Sequence, residues 1–427
     1  MSPALKTSQA RRSLKAKGLT TRAAILETAQ EVFRDLGYYQ TSVSEITRRC
    51  GVSIGTFYQY FKNKEQIFLE LNDLILSRFW ERAEGLPPQA GSLEGRLAGV
   101  VGLLVDHISS HFYFHRILGE FELIDSVTIG YYDSIARFYR NFFRREAGLG
   151  NIRPFDPNLI TYGLIGMVYF NSLDWGPKSA AYRGERLVSL IVDLVLKGIS
   201  GPRPWNRPGD QTAPPTGRKT KGHPEPEEEA AQGQLTKRAL FQAAETVFGQ
   251  YGFNRANVSE ITRLAGVAQG TFYTHFKSKR NLLEGFVRYL SRELRRTLKQ
   301  ATEGLADRRD QEREGLRTFF RFLHQHSRIY RVVGESETVG LETGMWYYQK
   351  LAEGYVAGIR DGLKQGEIRE FPAPFLARAL MGVNHVVGLK WLVWNSYPQA
   401  ELPQPLLNEL GQWVLTGLGT SEKESAS

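Results

Sequence analysis

The sequence predicts an all-α protein built from one helical unit repeated in tandem, and three observations carry that expectation. Apolar residues recur at spacings of three and four through both halves, the period of a helix with one buried face. The pentapeptide "VSEIT" starts at Val43 and again at Val258, an offset of 215. The phrase "GTFYQYFKNKE" at Gly55 returns at that same offset as "GTFYTHFKSKR" at Gly270. The offset of 215 also pairs Val32-Phe33 with Val247-Phe248 and His111 with His326. After one inserted residue it becomes 216, pairing Tyr139 with Tyr355 and Gly166 with Gly382, and Gly198 meets Gly417 at 219. The whole unit is duplicated, and not one motif alone.

Composition sets bounds on the rest. A chain of 427 residues, 41% hydrophobic and 23% charged, is long enough for two folded units with cores of their own. Its formal net charge of +10 favours anionic partners. The basic, polar start lacks the apolar stretch of a secretory signal. The longest apolar run, "LITYGLIGMVYF" from Leu159, is shorter than the ~18 residues of a spanning helix. One cysteine, Cys50, excludes an internal disulfide and multi-cysteine metal sites. The expectation is a cytoplasmic protein without a membrane partner.

In chain order, residues 1–20 form a basic arm whose Lys6, Arg11, Arg12, Lys15 and Lys17 lead into Arg22 with no acid among them. Such an arm either tracks a nucleic-acid groove or serves as a solubilising tail. A helix-turn-helix domain is expected over 21–66 and again over 234–281. Ile25, Ala29, Val32, Phe33 and Leu36 mark the first helix, and Leu240, Ala244, Val247, Phe248 and Tyr251 mark its counterpart. Gly37 and Gly252 should stop these helices. Ser42 three residues before Glu45, and Asn257 three before Glu260, have the spacing of a capping box. The short helix they open should bury Val43, Ile46 and Cys50, or Val258, Ile261 and Ala265. Gly51 and Gly266 supply a tight turn, and the repeated phrase begins a third helix.

That phrase suits a helix entering a major groove. Gly55 and Gly270 permit close approach, Thr56, Tyr58, Thr271 and Tyr273 offer hydroxyls, and Lys62, Lys64, Lys277 and Lys279 offer charge for phosphates. Phe57, Phe61, Phe272 and Phe276 read instead as core, from their helical spacing.

Helical effector or dimerisation domains should follow at 67–200 and 282–420. Between the copies, the proline-rich and charged residues 201–233 read as a solvated, partly extended linker, and 421–427 as a tail. Leu159–Trp175 with Arg186–Ile199, and Phe375–Trp394 with Leu406–Leu418, are apolar and carry Gly163, Gly166, Gly382 and Gly388. Two such pairs suit a four-helix interface between the copies, formed within one chain or between two chains of a homodimer.

The segments "TSVSEITRRCGVSIGTFYQYFKNKEQIF" and "ANVSEITRLAGVAQGTFYTHFKSKRNLL" resemble the DNA-binding domain of the tetracycline-repressor (TetR) family. The resemblance implies a one-component regulator with an N-terminal reader of double-stranded DNA and a helical domain that binds a small effector or dimerises, usually repressing until the effector arrives. It implies phosphate contacts for Thr41, Ser42, Ser53, Gln59 and Lys64, and base approach for Ile54, Gly55, Thr56, Tyr58 and Tyr60. In the second copy it implies Asn257, Thr274 and Lys279 for phosphate, and Gln269, Gly270, Thr271, Tyr273 and His275 for bases. The second copy has Ala268 where the first has Ser53, which removes a helix cap worth about 1 kcal/mol.

Unlike readers imply unlike half-sites and an asymmetric operator; Gln269 can form a bidentate contact to adenine that Ile54 cannot. For the unknown small-molecule effector, Phe114, Phe121, Glu122, Tyr132, Glu337 and Tyr348 are the candidate ligand residues. Glu120, Glu122, Glu335 and Glu337 either orient a cationic ligand or pair with arginines. His107, His111 and His115 share one helical face, yet only His111 is repeated and no cysteine or acidic cluster completes a site, so no metal or cofactor is expected. No phosphate-cradling loop, nucleophile elbow or zinc-protease helix is present in the sequence, which argues against an enzyme. The alternative to a regulator is a ligand-binding or scaffold protein derived from one, without DNA affinity.

Overall fold

The computed structural model describes residues 3–86, 91–118, 124–173, 183–205, 228–326, 341–394 and 401–420. Their regular elements are α1 (Pro3–Gln40), α2 (Val43–Cys50), α3 (Ile54–Tyr60), α4 (Lys64–Glu84), α5 (Leu93–Ser110), α6 (Phe112–Leu118), α7 (Ile124–Gly148), α8 (Pro157–Ser172) and α9 (Gly184–Lys197). The second copy supplies α10 (Glu228–Arg255), α11 (Val258–Leu264), α12 (Gln269–His275), α13 (Lys279–Thr302), α14 (Arg308–Gln325), α15 (Leu341–Lys364), α16 (Ala373–Gly388) and α17 (Gln404–Thr416). A π turn over Leu389–Val393 extends α16. No strand occurs among the described residues, and no single described helix is long and apolar enough to cross a membrane.

Several sequence expectations shift by local chemistry. Gly37 and Gly252 do break the helical backbone, with φ of 75° at each, but one further helical turn follows both, so α1 and α10 run on to Gln40 and Arg255. The basic arm is helical from Pro3 and continuous with α1. Leu36 is exposed, because it lies one turn past the buried face of Ile25, Ala29, Val32 and Phe33. Ile46 and Thr47, like Ile261 and Thr262, are buried, while Val43, Cys50, Val258 and Ala265 are half-buried at the helix ends.

Packing divides the chain into two compact units that cut across the expected boundaries. The first comprises Met1–Leu86 with Ser109–Ile135, and the second Pro87–Ile108 with Ala136–Ser427. Within the first unit, Phe33, Phe57, Phe61, Phe68 and Phe114 are essentially inaccessible, and the Phe68 and Phe114 rings stack with centroids 4.9 Å apart.

Within the second unit, helices of the first copy pack directly on those of the second. A Cβ on Gly166 would lie 2.0 Å from the Gly382 carbonyl oxygen, and one on Gly382 2.1 Å from the Gly166 oxygen. Only glycine permits α8 and α16 to cross this closely. The chain ends beyond α9 and α17 exchange backbone hydrogen bonds in matched pairs. Ile199 N donates to Val414 O while Leu418 N donates to Val195 O, at 3.0 and 2.9 Å. Arg369 N donates to Ile199 O while Arg153 N donates to Leu418 O, at 2.9 and 2.8 Å. Isolated antiparallel bridges Ile152–Gly419 and Ser200–Ile368 complete the set. In each pair the donor and acceptor of one copy are the acceptor and donor of the other, the reciprocity of an isologous two-fold contact.

The expected solvated linker is docked at its start. Gly201 N donates to Glu367 O at 2.7 Å, Arg203 pairs with Glu367 at 2.9 Å, and buried Arg309 donates to the carbonyls of Arg203 and Pro204. Its other end is helical from Glu228, since "EEAAQ" is rich in strong helix formers.

Candidate nucleic-acid interface and effector cavity

The two readers reproduce each other's architecture and differ in their caps. Ser42 Oγ accepts from Glu45 N at 3.1 Å, and Ser53 Oγ accepts from Thr56 N at 3.0 Å. In the second copy neither Asn257 nor Ala268 provides a side-chain cap. The capping box closes on one side only. Glu45 turns to Arg48 and Arg49, which reaches on to Asp35, and hydrogen bonds from these guanidiniums hold the Glu45 carboxyl down at about 2.

Side chains on α3 and α12 separate into a buried and a free face. Phe57, Phe61, Phe272 and Phe276 fill the core, while Ile54, Tyr58 and Tyr273 are more than half exposed. Gly55, Gln59, Lys62, Gln269, Gly270, Thr274 and Lys277 are exposed, and Thr56, Tyr60, Thr271 and His275 half-buried. A Cβ on Gly270 would meet nothing within 4 Å, and one on Gly55 only Ser53 Oγ at 3.7 Å. Helix-interior glycine costs about 1 kcal/mol relative to alanine. Nothing in the chain's own packing requires it at these two positions.

Three residues expected at phosphates make internal hydrogen bonds. Thr41 is buried, its hydroxyl donating to Gly37 O at 2.6 Å. Lys64 Nζ donates to the carbonyls of Tyr38 and Thr41, both at 2.8 Å, and sits 4.4 Å from the Tyr38 ring centroid. Lys279 repeats the arrangement with the carbonyls of Asn254 and Ala256 and the Phe253 ring. Each ammonium satisfies carbonyls left open where the first helix of its reader ends. Sequence spacing could not separate these lysines from Lys62 and Lys277, because the acceptors lie 23 to 26 residues away in the chain.

The second copy also encloses a cavity of about 440 Å³ between α13, α14, α15 and α16. Its walls are mainly apolar, with Leu298, Phe319 and Met381 among them, and Phe170 of α8 contributes from the first copy. Tyr348 is in this wall, in edge contact with Phe170 at 4.9 Å. At one end Arg308 donates to Glu312 at 2.6 Å, and Tyr355 donates to the other Glu312 oxygen. Burial lowers His385 to about 3, so it is neutral at physiological pH. Sequence reasoning missed Arg308, Glu312, Asn384 and His385. The available signal was polarity in the second copy where the first has Leu93, Leu97, Val168 and Tyr169.

The other expected ligand residues fare differently. Phe114 belongs to the first unit's aromatic core, stacked on Phe68, and the Tyr132 hydroxyl lies 2.9 Å from His115 Nδ1. Phe121, Glu122 and Glu337, with Glu120 and Glu335, lie outside the described residues.

Segments of both copies are similar in sequence to known proteins. The family model for bacterial regulatory proteins of the tetR family matches residues 25–71 and again 240–285. The HTH-type transcriptional regulator YhgD of Bacillus subtilis is 25% identical over 183 residues, covering 41% of this chain and 95% of that protein. The fatty acid metabolism regulator protein of Bacillus subtilis is 39% identical over 77 residues, 18% of this chain and 40% of that protein. Among solved structures, the fatty acid degradation regulator FadR of Bacillus halodurans aligns at 18% identity over 46% of this chain and 97% of its own, with a TM-score of 0.39. FadR of Bacillus subtilis in complex with stearoyl-CoA aligns at 24% identity over 40% and 96%, with a TM-score of 0.35. Two matched helix-turn-helix segments, each at the head of a duplicated helical unit, make this chain a TetR-family transcriptional regulator in tandem-duplicated form.

Proposed function

We propose that the chain is a single-chain pseudo-dimer, an effector-responsive repressor whose two unlike readers address an asymmetric operator. The observation that carries this reading is the reciprocal exchange of hydrogen bonds between the ends of α9 and α17, with the glycine crossing of α8 and α16. In a homodimer that reciprocity is generated by symmetry; here one chain satisfies it with both of its copies. The free faces of α3 and α12 offer Ile54, Gln59 and Tyr60 against Gln269, Thr274 and His275, so the preferred half-sites differ.

Effector response has a physical route. Helix α13 runs without a break from Lys279, which braces the second reader, to Thr302 in the cavity wall, about 36 Å for its 24 residues. A ligand that repositions one end of a rigid helix acts on the other.

The test is native mass spectrometry of the full chain bound to genomic duplexes selected by its own affinity and then sequenced. One chain per duplex with two unlike half-sites is expected. Two chains on a palindromic site, or no duplex selected, overturns the reading.

A further inference from the structure

We propose that the chain has a single effector site, in the second copy, and that this site takes an elongated apolar molecule with one anionic end. The inference rests on the effector-responsive reading above and specifies its stoichiometry and ligand chemistry.

The one-sidedness follows from matched positions. Where the second copy has Gly315 and Gly354 in the cavity wall, the first has Val100 and Phe138. Both glycines open space: a Cβ on Gly354 would meet nothing within 4 Å, and one on Gly315 only Thr302 Cγ2 at 3.9 Å. The ionic arrangement has diverged too. Arg308 lies against Gly358 and Gly362 of α15, where a Cβ would come within 2.1 and 2.9 Å of it. The first copy has Phe142 and Glu146 at those positions, and Glu146 is taken up by Arg96 at 2.6 Å. Its Tyr139 hydroxyl donates to the Val100 carbonyl, whereas matching Tyr355 points to Glu312 in the cavity wall. Larger and more apolar side chains thus replace the features that create the cavity. Phe170, the wall residue supplied by the first copy, lets one bound molecule touch both copies at once.

The ligand's chemistry follows from what the cavity leaves unsatisfied. Most of the wall is apolar, which selects an apolar body, and the volume lies within the range of small-molecule sites, about 300–1,000 Å³. The Tyr347 hydroxyl, on a residue only 4% exposed, has no hydrogen-bond partner among the described residues and faces the same space. Arg308 and Glu312 neutralise each other. The cations that remain are Arg295 and Lys299, one turn apart on α13, and neither has an ion-pair partner among the described residues. They attract an anion.

The test titrates the full chain, free of DNA, with sodium dodecanoate below its micellar concentration, followed by native mass spectrometry and calorimetry. One dodecanoate per chain is expected, with about tenfold weaker binding for Arg295→Glu combined with Lys299→Glu, and at least tenfold weaker for dodecyltrimethylammonium. Gly354→Phe and Gly315→Val, which install the first copy's side chains, are each expected to weaken binding at least tenfold while far-ultraviolet circular dichroism and cooperative melting are retained. Having two such variants keeps the test decisive should one not fold. Two dodecanoates per chain, none, tighter binding of the cation, or unchanged affinity in the folded filling variants overturns the proposal. A chain that binds one dodecanoate but selects no DNA instead sinks the regulator reading and leaves the site standing.

Discussion

Replacing Gly166 with alanine tests the pairing of the two copies at its closest point. The added methyl would sit 2.0 Å from the Gly382 carbonyl oxygen and 2.4 Å from its carbonyl carbon. An ordinary carbon contact is about 3.5 Å, so the helices must separate by more than an ångström. The neighbour is backbone and cannot rotate aside. A gap of about 1 Å forfeits between a quarter and a half of the dispersion energy of each contact across it. That loss extends to the buried surface along α8, including Tyr162, Ile165 and Phe170. Overpacking of this kind costs about 1–3 kcal/mol, and the alanine's better helix propensity returns at most about 1 kcal/mol. Net destabilisation of about 1–2 kcal/mol is expected from urea unfolding followed by circular dichroism. Gly99→Ala in α5, where a Cβ meets nothing within 4 Å, is the control and should stabilise by up to about 1 kcal/mol. If Gly166→Ala were as stable as Gly99→Ala with the same denaturant slope, the helices would not cross at this glycine pair. Adding Gly382→Ala should cost less than the sum of the single changes, because both methyls act on one crossing.

Three further outcomes are expected. Ala268→Ser should cap α12 as Ser53 caps α3, stabilising it by about 1 kcal/mol and slowing amide exchange in its first turn about fivefold. Lys62→Ala should reduce the salt dependence of DNA binding by about one unit of logarithmic slope, whereas Lys64→Met should leave that slope unchanged and destabilise the first reader by about 2 kcal/mol, read by thermal melting. Burial alone would raise the Glu146 carboxyl, but hydrogen bonds from Arg96, Asn151 and Arg145 take it from 4.5 down to about 2. Its stabilisation is therefore complete above pH 4.5 and lost as the pH falls towards 2, about 3 kcal/mol in all. Glu146→Gln should flatten acid unfolding over that window.

What the sequence made legible was local. Helical period, the glycine turns, the Ser53 cap and its loss at Ala268 depend on residues within four positions of one another, and all were readable. The duplication was legible because offsets need no geometry. Functions set by distant partners were not. Lys64 has the same sequence surroundings as a phosphate-binding lysine, and only the return of α4 onto the end of α1 turns it into a brace. The docking of Arg203 on Glu367 likewise joins residues whose contact no short window contains. Cavity formation depends on what is missing, and glycines at 315 and 354 become informative only once four helices surround them.

The reciprocal hydrogen bonds between the ends of α9 and α17 have a consequence for how such a regulator works at low abundance. A dimer that forms by encounter loses its DNA-competent form with the square of dilution. A pair joined by its own peptide chain does not, so operator occupancy falls only in proportion to the number of molecules. A substitution in a homodimer also appears on both sides of the axis at once. In a single-chain pseudo-dimer each half can change alone, and a new half-site can be acquired while the old one is kept.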